Sequence, residues 1–257
     1  LKDAVTATKD VNKRKKLSEA LVKVTSEAGK KAAAFGTNYW AADTLLLVAD
    51  EVKGDAAQAT TAYTEAATIL NQMIAKGKSD PEWMQPKGID VQVKLMLAKS
   101  QRGLGKFEEA IQSLGEMLEI SNTIPAQMEA AKTYQAWGDA GDAKNHKTAI
   151  EGSRPSKNGA NVIWGFSKVA NVMGKNPNNA ELFYEARFQV ANSRYKFAMG
   201  SNGADKTKLL EQAARDIQAT AALYPALGGP VVADNFDNLL KQIQKAQGKE
   251  AVGLNRK

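Results

Sequence analysis

The stretch Leu97-Ala98-Lys99-Ser100-Gln101-Arg102-Gly103-Leu104-Gly105-Lys106-Phe107-Glu108-Glu109-Ala110, which continues to Leu114 and Met117, decides how the chain is read. A leucine and a small residue open it, and Gly105 suits the left-handed turn that closes a helix. An aromatic follows two residues later, and Ala110 is small enough for a second helix to approach the first. Two antiparallel helices joined by a tight turn satisfy that order. Small side chains sit where the pair crosses closely, while Phe107, Leu114 and Met117 fill the space around it. A phosphate-loop reading of Gly103-Leu104-Gly105-Lys106 fails, because the upstream glycine is absent and Phe107 replaces the magnesium-binding hydroxyl. Glu108 likewise spoils a dinucleotide-binding GxGxxG pattern.

Helical periodicity extends outward in both directions. Leu17, Leu21, Val24 and Ala28, spaced by four, three and four, predict one buried face of a helix backed by Lys13, Arg14, Lys15 and Lys16. No segment sustains the alternation of a half-buried strand. Pro81, Pro86, Pro125, Pro155, Pro177, Pro225 and Pro230 all fall between periodic segments, as expected when an interior proline costs about 3 kcal/mol. The predicted helices are 3–34, 38–52, 56–76, 89–104, 106–120, 125–138, 159–173, 178–199, 205–223 and 232–247.

Three further stretches share the opening pattern. Ala130, Ala131, Tyr134 and Gly138 repeat its first helix, with residues 139–158 read as an inserted loop before the second. Val190, Ala191 and Arg194 lead to Ala213, Ile217, Thr220 and Pro225; Leu46 and Leu47 lead to Gly54, Ala59, Tyr63 and Ala66, with Asp50 where an aromatic is usual. The pattern resembles the tetratricopeptide repeat, whose period is about 34 residues. The resemblance implies an all-α fold, a right-handed superhelix of about four helix pairs at 38–76, 89–120, 125–173 and 178–223. Residues 1–36 then form an N-terminal capping helix, 37–225 the repeats, and 226–257 a C-terminal capping helix with a solvated tail. Phe236, Leu239, Leu240 and Ile243 supply the apolar face of that last helix.

Composition narrows the chemistry. The chain has 257 residues, no cysteine and one histidine, so disulfides, thiolate metal sites and HExxH zinc sites are excluded. Its longest purely apolar run, 45–49, falls far below the roughly 18 residues of a membrane span. The formal charge of +7 is terminal: residues 1–35 carry +5, 241–257 carry +4, and the remainder −2. Nucleic-acid recognition along a groove would spread cations through the body of the fold. The chain begins at Leu1 rather than methionine, which leaves a removed signal or anchor, and so both a cytoplasmic and an exported location, open.

Catalytic candidates are sparse. Asp139, Asp142 and His146 share the inserted loop, but no nucleophile or oxyanion motif accompanies them, and the expectation is no catalytic, metal or cofactor site. Asp50-Glu51 and Glu108-Glu109 do not converge on one helical face. Trp40, Trp137 and Trp164 are read as core or inter-repeat plugs, and Trp83 sits in a proline-flanked joint.

What the resemblance implies is binding. In tetratricopeptide proteins the first helix of each pair lines a concave groove, which carries over to Lys99 and Arg102, then Lys132 and Gln135, then Asn192, Tyr195 and Lys196. Val48 and Glu51 are the matching positions of the first pair. Such a groove fits a non-catalytic scaffold that binds a peptide or protein segment, possibly acidic, through charge-assisted hydrogen bonds. The carboxylate-clamp pattern of chaperone adaptors is absent, since Phe188 stands at its basic position. A nucleic-acid-binding helical repeat and an adaptor docked on a membrane through the basic first helix are the alternatives. The 139–158 loop, with His146, Arg154, Pro155, Gly141, Gly152 and Gly159, is a second candidate site.

Overall fold

Asp10, Asp55 and Asp80 each turn a side-chain oxygen onto a free backbone N–H of the segment that follows: Lys13 at 2.9 Å, Gln58 at 3.2 Å and Trp83 at 3.3 Å. These caps satisfy donors that a helix leaves unpaired at its start. The structure, a computed structural model, describes residues 8, 10–155, 161–175 and 177–254. Among them are eleven α-helices and one pair of three-residue strands, so the chain is all-helical in class. It divides into two units, Leu1–Met117 and Leu118–Lys257, and the boundary falls within one helix, α5.

The first unit holds α1 (Val11–Lys31), α2 (Phe35–Glu51), α3 (Ala56–Ser79), a 3-10 turn at Pro81–Trp83, α4 (Ile89–Gly103) and the start of α5 (Phe107–Ile120). α1 packs on α2, α2 on α3 and α3 on α4, and α1 also touches α3 while α2 touches α4. Ala41, Ala42, Leu45, Ala62, Ala66, Ile69 and Leu70 form the fully buried centre. Alanine dominates because the helix axes approach closely, and Leu, Ile and Met fill what remains. At the end of α4, Gly105 takes φ +75° and the Lys106 N–H reaches the Gln101 carbonyl at 2.8 Å, so the turn predicted from the sequence is a left-handed glycine cap.

The second unit holds α6 (Ile124–Asp139), α7 (Lys144–Glu151), strands β1 (Ser153–Pro155) and β2 (Asn161–Ile163), α8 (Gly165–Met173), a 3-10 turn at Pro177–Asn179, α9 (Ala180–Met199), α10 (Gly203–Leu223) and α11 (Pro230–Ala246). The strands pair antiparallel, Ser153 with Ile163 and Pro155 with Asn161. Buried Gln127 of α6 fixes the exit of that hairpin: its amide donates to the Val162 carbonyl at 2.7 Å and its oxygen accepts from the Trp164 N–H at 2.8 Å. Phe236, Leu239, Leu240 and Ile243 of α11 are buried with Ile217 and Leu210 of α10, as their periodicity predicts.

Four expectations change. The inserted loop contains a helix, α7, and the strand pair; α7 packs directly on α6, so a second helix does follow there. Gly159 lies outside the described residues, as do the side chains of Arg154 and Pro155. The buried row of α1 is Ser18, Leu21, Val22, Thr25 and Ser26, while Val24 is 58% exposed. Hydroxyl-bearing residues occupy the inner face because Ser18 bonds the Arg14 carbonyl and Ser26 bonds Glu65. Trp40 is 53% exposed and is no core plug. Beyond α11 the described part of the tail folds back: the Leu254 N–H donates to Asp237 at 2.6 Å, the Gly253 N–H to Gln244 at 2.9 Å, and Leu254 packs on the core. Residues 1–7 and 9, which include most of the start of the predicted first helix, lie outside the described residues.

A methyl group at Gly103 would collide with the Tyr63 ring, which cannot swing away because its hydroxyl is held by Asp50. Gly103→Ala is therefore expected to destabilise the protein by about 1–3 kcal/mol in urea unfolding. Gly36→Ala, on the open side of α2, is expected to leave stability unchanged or raise it by up to about 1 kcal/mol.

Candidate functional site

In the first unit the predicted face centres on a residue that the repeat pattern marks as an anomaly. Asp50 of α2 accepts from the Tyr63 hydroxyl of α3 at 2.7 Å and pairs with Lys53 at 2.9 Å and Lys99 of α4 at 3.0 Å. Lys99 thus faces α2, where it meets Asp50. Val48 is 3% exposed and turns to the opposite side, so it is no groove residue; Glu51 is exposed. Arg102 is half-buried one turn beyond Lys99. Burial pushes the Asp50 carboxyl up, and the hydrogen bonds from Lys53, Tyr63 and Lys99 outweigh it, bringing the pKa down to about 2.

In the second unit α6 and α9 run side by side in the same direction, joined by a ladder of polar contacts. Lys132 pairs with Glu185 at 2.5 Å, the Gln135 amide donates to Gln189 at 2.9 Å and Ser193 at 2.7 Å, and Lys196 pairs with Asp139 at 2.6 Å. The Asn192 amide also donates to Gln189, at 3.2 Å. The structure therefore brings Lys132, Gln135, Asn192 and Lys196 together. Tyr195 stands on another side of α9, packed with Phe188 against the core shared with α10 and α11. Asp50, Glu185, Gln189 and Ser193 were not among the groove candidates, and Asp139 was weighed only as a catalytic residue of the loop. Asp50 left a signal as a carboxylate at a customary aromatic position; the others meet their partners across 53 to 58 residues, beyond the reach of local spacing.

The loop candidates separate. His146 is 3% exposed, lies against Gly138 so that a Cβ there would meet the ring at 2.7 Å, and places Nε2 3.6 Å from Asp139. Burial lowers its pKa, Asp139 opposes this and Lys196 adds to it, so the ring is neutral at pH 7. Its covered position gives a substrate no path to the imidazole. Asp142 is exposed and accepts from Asn145 at 3.2 Å instead. Among the described residues no three His, Asp or Glu side chains could jointly hold a metal ion. The helix within the former loop does line a cavity of about 470 Å³, where Lys147 and Ile150 face Arg194 and Phe197 of α9 and Lys208 of α10. Arg194 is tied to Asp216 at 3.1 Å.

A second cavity, of about 540 Å³, separates α1 from α3 in the first unit, with Val22, Val48 and Val52 among its lining residues. Polar bridges span it: Lys15 to Asp55 at 2.8 Å, Gln58 to Glu19 at 3.2 Å, and Ser26 and Lys30 to Glu65. Burial raises the Glu65 pKa, but Lys30 and Ser26 lower it more.

Compared with models of protein families, with curated proteins and with solved structures, the chain matches none.

Because the folded pKa of Asp50 lies below its ordinary 3.8, its stabilisation is present above pH 4 and disappears as the pH falls towards 2. That shift corresponds to about 2 kcal/mol. Asp50→Asn is expected to lose roughly that much at pH 7, also on the order of the hydrogen bonds to a charged group that it weakens, and to show a flatter acid-unfolding profile than the wild type between pH 4 and 2. Equal pH slopes in the two proteins would remove Asp50 from that role.

Proposed function

We propose that the chain is a non-catalytic protein-interaction scaffold of tetratricopeptide-like, right-handed helical-repeat architecture. It receives a peptide or protein segment along the first helices of its pairs. The observation that carries this reading is the packing within each unit: helices contact their next-but-one neighbours as well as adjacent ones, the arrangement a stacked helical repeat requires. The pairing of α2 with α4 through Asp50 and Lys99, and of α6 with α9 through the Lys132–Lys196 ladder, is consistent with first helices lying side by side.

The partner is an acidic segment, bound by exchange. Lys99, Lys132 and Lys196 each hold a carboxylate of the chain itself, so a ligand carboxylate substitutes for Asp50, Glu185 or Asp139 at little electrostatic penalty. The same pairing disfavours the nucleic-acid alternative, which gains affinity from cations that are free to neutralise phosphates.

The test is capture of partners from the source organism's extract by the wild type, by Lys99→Gln/Arg102→Gln and by Lys132→Gln/Lys196→Gln, with and without nuclease. A protein retained by the wild type after nuclease and recovered roughly tenfold less by either variant is expected, the effect of losing about 1.4 kcal/mol of charge-assisted bonding. Undiminished recovery by both variants would move the site elsewhere, and recovery that collapses with nuclease would favour nucleic acid.

A further inference from the structure

We infer that the outer face of α1 docks the protein on an anionic lipid surface. Unpaired cations mark this surface. In the faces just described, Lys99, Lys132 and Lys196 each have a carboxylate partner, and on the flanks of α1 itself Lys15 and Lys30 bond Asp55 and Glu65. Lys13, Lys16, Lys23 and Lys31 of α1 form no ion pair among the described residues. At 100° per residue these four lie on the side of the helix opposite the buried row of Ser18, Leu21, Val22, Thr25 and Ser26. All four are exposed.

The shape and chemistry of the row select the occupant. From Lys13 to Lys31 it extends about 27 Å along one straight helix. The cavity beside α1 has Lys23 and Glu27 at its edge, whereas Lys13, Lys16 and Lys31 stand away from it. Glu27 is the single acidic residue in the row, and Val24, exposed at 58%, is the apolar contact at its middle. Lysine ammonium groups are hydrated point charges without the fork geometry that fixes a carboxylate or a phosphate in one orientation. A planar layer of laterally mobile anionic headgroups arranges itself around such charges, whereas a folded acidic partner needs a shaped complement that the row does not offer. No helix among the described residues is long and apolar enough to cross a membrane, so the contact is peripheral. Val24 alone inserts little area, and the attraction is electrostatic.

The experiment is co-sedimentation of the full chain with vesicles of phosphatidylcholine containing 30% phosphatidylserine, and with vesicles of phosphatidylcholine alone. Each lysine near such a surface contributes roughly a fivefold gain in partitioning. Wild type is expected to bind the mixed vesicles at 50 mM KCl, to be released at 500 mM KCl, and to ignore the neutral ones. Lys13→Gln/Lys16→Gln/Lys23→Gln/Lys31→Gln is expected to bind several-hundred-fold more weakly. Lys99→Gln/Lys132→Gln/Lys196→Gln, matched in charge change to within one unit, is expected to bind within about threefold of wild type because its positions are already paired. Circular dichroism on each variant confirms that helix content is kept. Wild type that fails to bind the mixed vesicles overturns the inference, as does equal binding by the quadruple variant or equal loss in the control. Tighter, lysine-dependent binding to a 20-base-pair duplex or to polyglutamate than to the vesicles also overturns it, in favour of a nucleic acid or an acidic protein.

Discussion

The contact of Tyr63 with Gly103 and Asp50 fixes three helices of the first unit at once. The ring of α3 occupies the space left by the missing side chain on α4, and the hydroxyl ends on the carboxylate of α2. A hydrogen bond to a charged group inside a half-buried site is stronger and more directional than apolar packing, so the ring is placed in one orientation. Lys99 then completes the carboxylate's coordination from α4 itself. Gly138 and His146 repeat the device in the second unit, where an aromatic ring again lies on a glycine and again approaches a carboxylate, Asp139. In both units a glycine late in a helix makes room for a polar aromatic; Asp50 anchors the first by a hydrogen bond, whereas Asp139 stands 3.6 Å from the second.

Much of the helical framework was legible because its punctuation is chemical. Pro125 and Pro230 stand in the first turns of α6 and α11, where proline loses no hydrogen bond, and Gly105 caps α4 in the left-handed conformation. What escaped were elements whose signal is weak by nature. The eight-residue α7 buries only His146, Ala149 and Ile150, too few for a periodic pattern to stand out. On α1 the predicted face is turned only in part: Leu21 is buried and Leu17 packs on the core, but Val24 faces out, while Ser18 and Ser26 return their hydroxyls to the helix backbone and to Glu65 and so can be buried like apolar residues. Thr25 is buried without a hydrogen-bond partner for its hydroxyl, which no hydropathy count anticipates.

The candidate residues could be named from the sequence, but their partners could not. The repeat resemblance singled out Lys99, Lys132, Gln135 and Lys196, and in the structure these side chains meet other helices. Their partners depend on which helices become neighbours, information held in contacts more than fifty residues apart in the case of Asp139 and Glu185. Tyr195 failed for the complementary reason: an amphipathic side chain beside Phe188 gains more from the apolar core than from an open face.

The paired lysines have a consequence for selectivity among competitors. A row of bare cations attracts any polyanion, and in a medium crowded with acidic polymers it would be fouled before a specific partner arrived. A lysine already answered by a carboxylate presents almost no net charge at a distance, so non-specific traffic passes it by. On the function proposed above, a ligand has to offer its own acidic group in the same place as the resident one to exchange with it. On that proposal each of the two faces discriminates by shape and register rather than by long-range attraction.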